Sequence, residues 1–307
     1  MDSNALDRAV EILLRSELAA IPTETVYGLA GNALDENAVA KIFAVKNRPF
    51  FDPLIVHAAS RQAFEPYISD WPEPAMLLAA RFWPGPLTLL LPRTPLISDL
   101  VTSGMERVAA RVPNHPVTLE LLSRLPFPLA APSANPFGYI SPTRPEHVAA
   151  QLGDKIPFIL DGGPCTVGIE STIVGFPDGV PTIYRLGGLS VESIEDAVGK
   201  VQILQNPNRT PGGMVGHYAP SKKLLLGDLA QMLKSYPDAA TLSFKNEYPS
   251  PYLRVLSPSG DLTEAAANFF KFLRELDATP AELILAETLP EKGLGRAIND
   301  RLRRARS

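Results

Sequence analysis

Residues 35–57 read DENAVAKIFAVKNRPFFDPLIVH, and this stretch decides the fold class. Asp35 is an N-cap candidate, because a carboxylate there accepts from the unpaired N–H groups of a first helical turn. The run through Val45 carries its apolar residues at helical spacing. Pro49 and Pro53 punctuate the exit, and Leu54–His57 (LIVH) is a short apolar run of the kind that forms a buried strand. Helix, proline-bounded loop and buried strand in direct succession form the unit of an α/β sheet.

The same alternation extends in both directions. Leu6, Val10, Leu13 and Leu14 predict a helix behind the cap candidate Asn4, and further helices are expected at Glu73–Phe82, Pro116–Leu125, Pro145–Leu152 and Val191–Val198. Buried strands are expected at Leu87–Leu91, Val108–Val112, Pro128–Ala131, Phe158–Leu160, Ser171–Val174 and Thr182–Arg185. Several lie close enough in sequence to pair antiparallel, so the sheet is expected to be mixed. The segment QNPNRTPGGMVGHYAPSKK (205–223) has no regular periodicity and reads as an interdomain linker. Beyond it the alternation restarts: a Leu-rich strand, helix Asp228–Ser235, strands Ala240–Phe244 and Leu253–Leu256, helix Leu262–Leu276, strand Leu283–Ala286 and a final helix. The division is therefore 1–204, a linker at 205–223, and a small α/β domain at 224–307.

Composition narrows the function classes. The 307 residues are 45% hydrophobic and 20% charged, with a net charge of −4, so no global basic field grips nucleic acid. The single cysteine, Cys165, excludes an internal disulfide and a cysteine-based zinc site, and reads as a packing residue. The start MDSNALDRAV lacks the basic end and apolar run of a signal peptide. The uncharged stretch Leu125–Thr143 is broken by five prolines and cannot span a bilayer as a helix. A soluble, reduced, cytoplasmic protein is expected.

Phosphate-loop, dinucleotide and H-E-x-x-H motifs are absent, and His57, His115, His147 and His217 show no ligand spacing. Three constellations are more specific. In the first, the Thr-rich turn of PTETVYGLA (22–30) offers hydroxyls and backbone groups to a small zwitterion, and Lys46 and Arg48 leave a helix end as a cationic pair. Such a pair either complements the helix dipole or binds an anion. In the second, APSAN (131–135) places Ser133 and Asn135 at the end of an apolar strand, as turn residues or at the edge where open α/β sheets bind ligands. The third joins GIESTIV (168–174) to TIYRLGG (182–188), putting Ser171 and Arg185 on adjacent strands. The tail RLRRARS (301–307) reads as a solvated helix end. Arginines at strand and helix ends are expected to add little to the core, since exposed ion pairs contribute about 0–1 kcal/mol.

Together these segments resemble the YrdC-like family, and their order resembles its two-domain threonylcarbamoyl-AMP synthase branch. The carrying motifs are PTETVYGLA, the K-x-R pair Lys46/Arg48, the S-x-N pair Ser133/Asn135, PLIVH, RVPNHP, APSAN, SPT, GIESTIV, YRLGG and GGMVGHYAPSKKL. The resemblance implies a twisted mixed sheet with helices and a concave ligand site, followed by a small Rossmann-like α/β domain. It implies synthesis of threonylcarbamoyl-adenylate from L-threonine, bicarbonate and ATP, with release of pyrophosphate, for modification of a tRNA adenosine next to the anticodon. Magnesium is expected with ATP, with no metal site of the protein's own, and a threonylcarbamoyl-transferase machinery is expected to receive the product.

Carried over residue by residue, the resemblance puts Lys46, Arg48, Ser133 and Asn135 at catalytic positions. Thr25, His57, Arg111, Ala131 and Ser171 fall at threonine and carbamate positions. Lys46, Arg48, Asp52, Arg107, Ser133, Asn135, Ser141, Arg185 and Tyr218 fall at ATP positions. Asp52 stands where the family often has Asn, and Arg107 where Thr is common, which points those contacts to the nucleoside or the main chain. The bland readings are a core histidine for His57 and a packing anchor for Tyr218. The residues around Met214–Tyr218 are expected to cover the nucleotide. A non-catalytic double-stranded RNA-binding YrdC-like protein is the alternative. A hydrogenase-maturation carbamoyl-adenylate enzyme is excluded, because such chains are far longer and carry zinc fingers.

Overall fold

The computed structural model describes residues 3–204 and 218–306. Its first part runs α1 (Ser3–Leu14), β1 (Ala19–Ile21), β2 (Gly28–Asn32), α2 (Glu36–Lys46), β3 (Ile55–His57), α3 (Glu73–Phe82), β4 (Leu87–Pro92) and α4 (Asp99–Thr102). It continues with β5 (Arg107–Arg111), α5 (Pro116–Ser123), β6 (Leu129–Ala130), α6 (Pro145–Leu152), β7 (Phe158–Ile159), β8 (Thr172–Gly175), β9 (Thr182–Arg185), α7 (Val191–Val198) and β10 (Gln202–Ile203). The expected cap holds: the Asp35 carboxylate accepts from the Asn37 N–H. Asn47, in the left-handed region at φ 50°, ends α2 and turns the chain toward Arg48.

Among the described residues the large sheet has ten strands, ordered β10-β9-β8-β4-β5-β3-β6-β2-β1-β7. It is mixed: β3 pairs parallel with β5, while β4 with β5 and β3 with β6 run antiparallel. β1 and β2, an antiparallel pair, add to the strands expected from sequence. β2 takes in the end of PTETVYGLA, and its glycines Gly28 and Gly31 hide the β pattern.

Alternation along the strands sorts the core into two faces. On one face Val56, Leu89, Leu91, Val108 and Ala110 pack under α2, α3 and α7. On the other, α1 and α5 cover Ala19, Ile21 and Ala30 near one end of the sheet. That helical cover stops before the central strands. There Ile55, Leu90, Ala109 and Ile173 form a small apolar floor with Tyr184, and the chain leaves a concavity over it.

The second part has β11 (Lys223–Leu226), α8 (Leu229–Ser235), β12 (Ala240–Ser243), β13 (Tyr252–Val255), α9 (Leu262–Asp277), β14 (Leu283–Ala286) and α10 (Gly295–Ala305). Its four strands are all parallel, in the order β11-β14-β12-β13. α9 and α10 cover one face and α8 the other.

The two parts share one apolar cluster. Val26, Ile140 and Ile169 pack with Tyr218, Phe269 and Phe270. Gly168 adopts φ +78° here, and a Cβ on it would stand 2.5 Å from the α9 backbone at Ala266 and Ala267, so glycine is needed for this approach. Polar contacts reinforce the seam. Arg274 donates to the Ile140 and Ser141 carbonyls, and the Tyr139 hydroxyl donates to the Asp277 carboxylate. Asp277 also accepts from the N–H groups of Ser221 and Lys222, fixing the chain as the second domain begins.

Candidate active site

The concavity is a narrow, open cleft with about 50 Å³ of room for water-sized groups. Ile55 and His57 enter it from alternate positions of β3, and Arg111 from β5, where it sits opposite His57 in the parallel register. Ser171 precedes β8 and Arg185 ends β9; Thr23, Thr25 and Val26 come from the β1–β2 turn, and Ala131 to Ser133 from the segment after β6. The ligand space therefore spreads over a sheet face instead of sitting at a strand edge alone. The open floor left by the helices explains this.

Three arginines converge on the cleft, and none is an exposed strand end. Arg48 donates through Nε to the Asp52 carbonyl (3.0 Å) and through Nη2 to that of Pro53 (2.8 Å), and it pairs with the Asp52 carboxylate at 2.9 Å. Arg111 donates to the Gly85 carbonyl and lies 2.8 Å from Glu24. Arg185 donates to the carbonyl and hydroxyl of Ser171 (2.8 and 3.1 Å), and Thr88 shares a 2.7 Å hydrogen bond with that hydroxyl. All three are buried, at 6%, 3% and 7% exposure, which for Arg48 and Arg185 runs against the expectation that they add little to the core. Burial lowers the pKa of Arg48 and Arg185 from the ordinary arginine value.

His57 is also buried, and desolvation together with the Arg111 charge lowers its pKa to about 3. It presents a neutral imidazole to the cleft. Ser141 lies outside the lining but donates to Glu170 Oε1 at 2.5 Å, and Glu170 lines the cleft. Tyr218, held at φ 67°, closes one wall and stacks against Phe270 at 5.6 Å. It thus anchors the domain seam, as one of its two expected readings had it, and also lines the cleft. The rest of the Met214–Tyr218 segment lies outside the described residues, as does most of 205–223.

Besides Ser141, four expected residues lie outside the cleft lining. Lys46 does not line the cleft: its ammonium donates to the Ser133 carbonyl at 2.5 Å and to that of Asn135, tying the end of α2 to APSAN. Burial, then the Arg48 charge, lowers its pKa well below the ordinary lysine value. Asn135 turns its amide to the Pro136 and Tyr139 carbonyls. Asp52 serves Arg48, which accounts for a carboxylate near a cationic site. Arg107 is exposed at the far end of β5 from Arg111, about 13 Å along the strand, outside the lining.

Sequence reasoning missed Glu24, Glu170 and Arg301. Arg301 is the clearest correction. The tail is no solvated helix end there, because the Arg301 side chain is fully buried, 3.1 Å from Glu170 and stacked 5.2 Å from the Tyr218 ring centre. Its signal was position: with Leu294, Ile298, Leu302 and Ala305 it lies on the apolar stripe of α10. Cys165 is buried, and desolvation raises its thiol pKa to about 12, in keeping with a packing role. No helix among the described residues is long and apolar enough to cross a membrane.

The Sua5/YciO/YrdC family model, described as "Telomere recombination", matches residues 11–187, and "Threonylcarbamoyl-AMP synthase, C-terminal domain" matches 189–307. The threonylcarbamoyl-AMP synthase of Pyrococcus abyssi is 39% identical over 97% of this chain and 92% of its own length. That of Bacillus subtilis is 38% identical with the same coverage. The crystal structure of P. abyssi Sua5 complexed with L-threonine superposes with a TM-score of 0.91 at 38% identity, covering 98% of this chain and 93% of the other. With both domain types matched in order and relatives aligned along nearly their whole length, this chain belongs to the two-domain threonylcarbamoyl-AMP synthase family.

Proposed function

We propose that this chain joins L-threonine, bicarbonate and ATP into threonylcarbamoyl-adenylate, releasing pyrophosphate. The observation that carries the reading is the convergence of buried Arg48, Arg111 and Arg185 with neutral His57 and the hydroxyls of Thr25, Ser133 and Ser171. The chemistry must gather three anionic groups: the amino-acid carboxylate, the carbamate and the triphosphate. Pre-oriented guanidinium groups in a water-poor cleft stabilise such charge without reorganising.

Arg111, aimed by Glu24, suits the threonine carboxylate, with Thr25, Ala131 and Ser171 bounding the small side chain. His57 near this end remains uncharged, so it adds no competing cation and accepts or donates one hydrogen bond. The threonine amine and bicarbonate condense to a carbamate with loss of water. A carbamate oxygen then attacks the α-phosphorus of ATP, forming the new P–O bond as the bond to pyrophosphate breaks. Arg48 and Arg185 suit the phosphates, and Lys46 acts through the loop that presents Ser133. Catalysis on this reading is positioning and charge neutralisation, with no covalent nucleophile.

Magnesium enters as part of the ATP substrate. Among the described residues no group of three or more His, Cys, Asp or Glu is arranged to hold a metal ion. The carboxylates at the site, Glu24, Asp52 and Glu170, are ion-paired with arginines. Their donor set fits arginine anchoring, and no step is assigned to a resident metal.

The non-catalytic RNA-binding reading fits less well, because the converging cations are buried and a duplex backbone needs them at the surface. We further infer a cytoplasmic enzyme, in keeping with its unpaired Cys165, that hands its labile adenylate to a transferase acting on tRNA. Pyrophosphate release measured with each substrate omitted in turn tests the reading. Release should require threonine and bicarbonate together, and release that proceeds without bicarbonate, or equally with other amino acids, refutes it.

A further inference from the structure

Glu170 is the acidic side chain among the residues lining the cleft. An unneutralised carboxylate beside Arg185 would repel an incoming triphosphate and compete for the arginine's donors. Both Glu170 oxygens are instead engaged from elsewhere. Oε1 accepts from the Ser141 hydroxyl, and Oε2 accepts from Nε of Arg301, on the last helix of the second domain. Arg301 is itself held on several sides: Nη1 donates to the Leu186 carbonyl at 2.6 Å and to Asp300 at 2.9 Å, and the guanidinium stacks on Tyr218. A buried arginine from one domain thus reaches the wall of the other domain's cleft.

We propose that Arg301 is a positioning residue of the nucleotide site, neutralising Glu170 and turning it away from the phosphates. The second domain then completes the cleft of the first electrostatically, without touching substrate through α10. The proposal rests on the reading of the cleft as an ATP site. Its specific signature is a selective loss of nucleotide affinity that disappears when the carboxylate is also removed.

The experiment compares full-length wild type with Arg301→Met, Arg301→Lys and the double variant Arg301→Met/Glu170→Gln. Calorimetry with a non-hydrolysable ATP analogue gives Kd, and pyrophosphate release gives KM for ATP and for threonine. Arg301→Met should weaken analogue binding at least tenfold and raise the ATP KM in step, with the threonine KM changing less than threefold. The double variant should return to within threefold of wild type for ATP. Arg301→Lys, which retains the charge, should fall between. If Arg301→Met does not fold, the lysine and double variants still decide. A folded double variant that binds the analogue tenfold more weakly than wild type overturns the proposal. So does a folded Arg301→Met with wild-type analogue affinity. Analogue binding by wild type without threonine- and bicarbonate-dependent pyrophosphate release would refute the functional reading and leave the positioning role standing.

Discussion

Arg111 Nη2 lies 2.8 Å from Glu24 Oε1 with both side chains buried, so the β1–β2 turn aims an arginine carried by β5. Pairing of this kind fixes direction more than it adds stability, because desolvation offsets most of the attraction. Breaking one side is another matter, since the remaining charge is buried alone.

Glu24→Gln should therefore destabilise the fold by roughly 3–5 kcal/mol, the usual range for breaking a buried pair. Denaturant melts should show a lower midpoint, and the threonine KM should rise. An unchanged threonine KM in the folded variant would detach Glu24 from substrate positioning.

Lys46→Met should leave the Ser133 and Asn135 carbonyls without their donor, at about 1–3 kcal/mol per buried group. Because Lys46 acts on the loop and not on ligand directly, kcat and the ATP KM should both worsen as Ser133 shifts. Wild-type kinetics in this variant would contradict the loop-clamp role.

Arg48→Ala combines two losses. It removes a cation from the cleft and leaves the Asp52 carboxylate buried beside no guanidinium, so stability should fall by roughly 3–5 kcal/mol as well as activity. Arg48→Ala/Asp52→Ala should recover much of the stability and none of the activity. Recovered turnover in the double variant would show that Arg48 serves only the fold.

The pairings that drive these predictions were the part least legible in sequence. α2, α3, α6 and α7 and the apolar strands were readable, because each carries a periodicity or a cap within its own length. β1 and β2 were not: one has three residues, and the other, GLAGN, is rich in glycine and alanine. In the same way Arg48, Arg111 and Arg185 could be named from their motifs, while their burial could not. Glu24, Glu170 and Arg301 acquire their roles only when distant segments meet. Arg301 and Glu170 are 131 positions apart, and no local pattern in RLRRARS separates the buried arginine from the exposed Arg303 and Arg306 except its place on the apolar stripe.

His57 gives a pH prediction. Its pKa is about 3 in the fold and near 6.5 unfolded, and His147 follows with about 4. Both are depressed, so the unfolded chain binds the extra protons first. The associated stability is fully present above about pH 6.5 and is lost as pH falls toward 3–4. Denaturant midpoints at pH 7, 5.5 and 4.5 should decline, and His57→Asn should flatten the decline. The activity profile between pH 6 and 8 should show no ionisation of His57, and an inflection there removed by His57→Asn would contradict a neutral imidazole.

The central claim is that one cleft assembles threonine, bicarbonate and ATP into a single adenylate. Incubating the full chain with ATP, labelled threonine and carbon-13 bicarbonate, followed by chromatography and mass measurement, tests it directly. The account predicts one new species carrying both labels and AMP, formed in equal amount with pyrophosphate and absent when bicarbonate is omitted. An adenylate of threonine that lacks the bicarbonate carbon, or pyrophosphate with no labelled product, would contradict it.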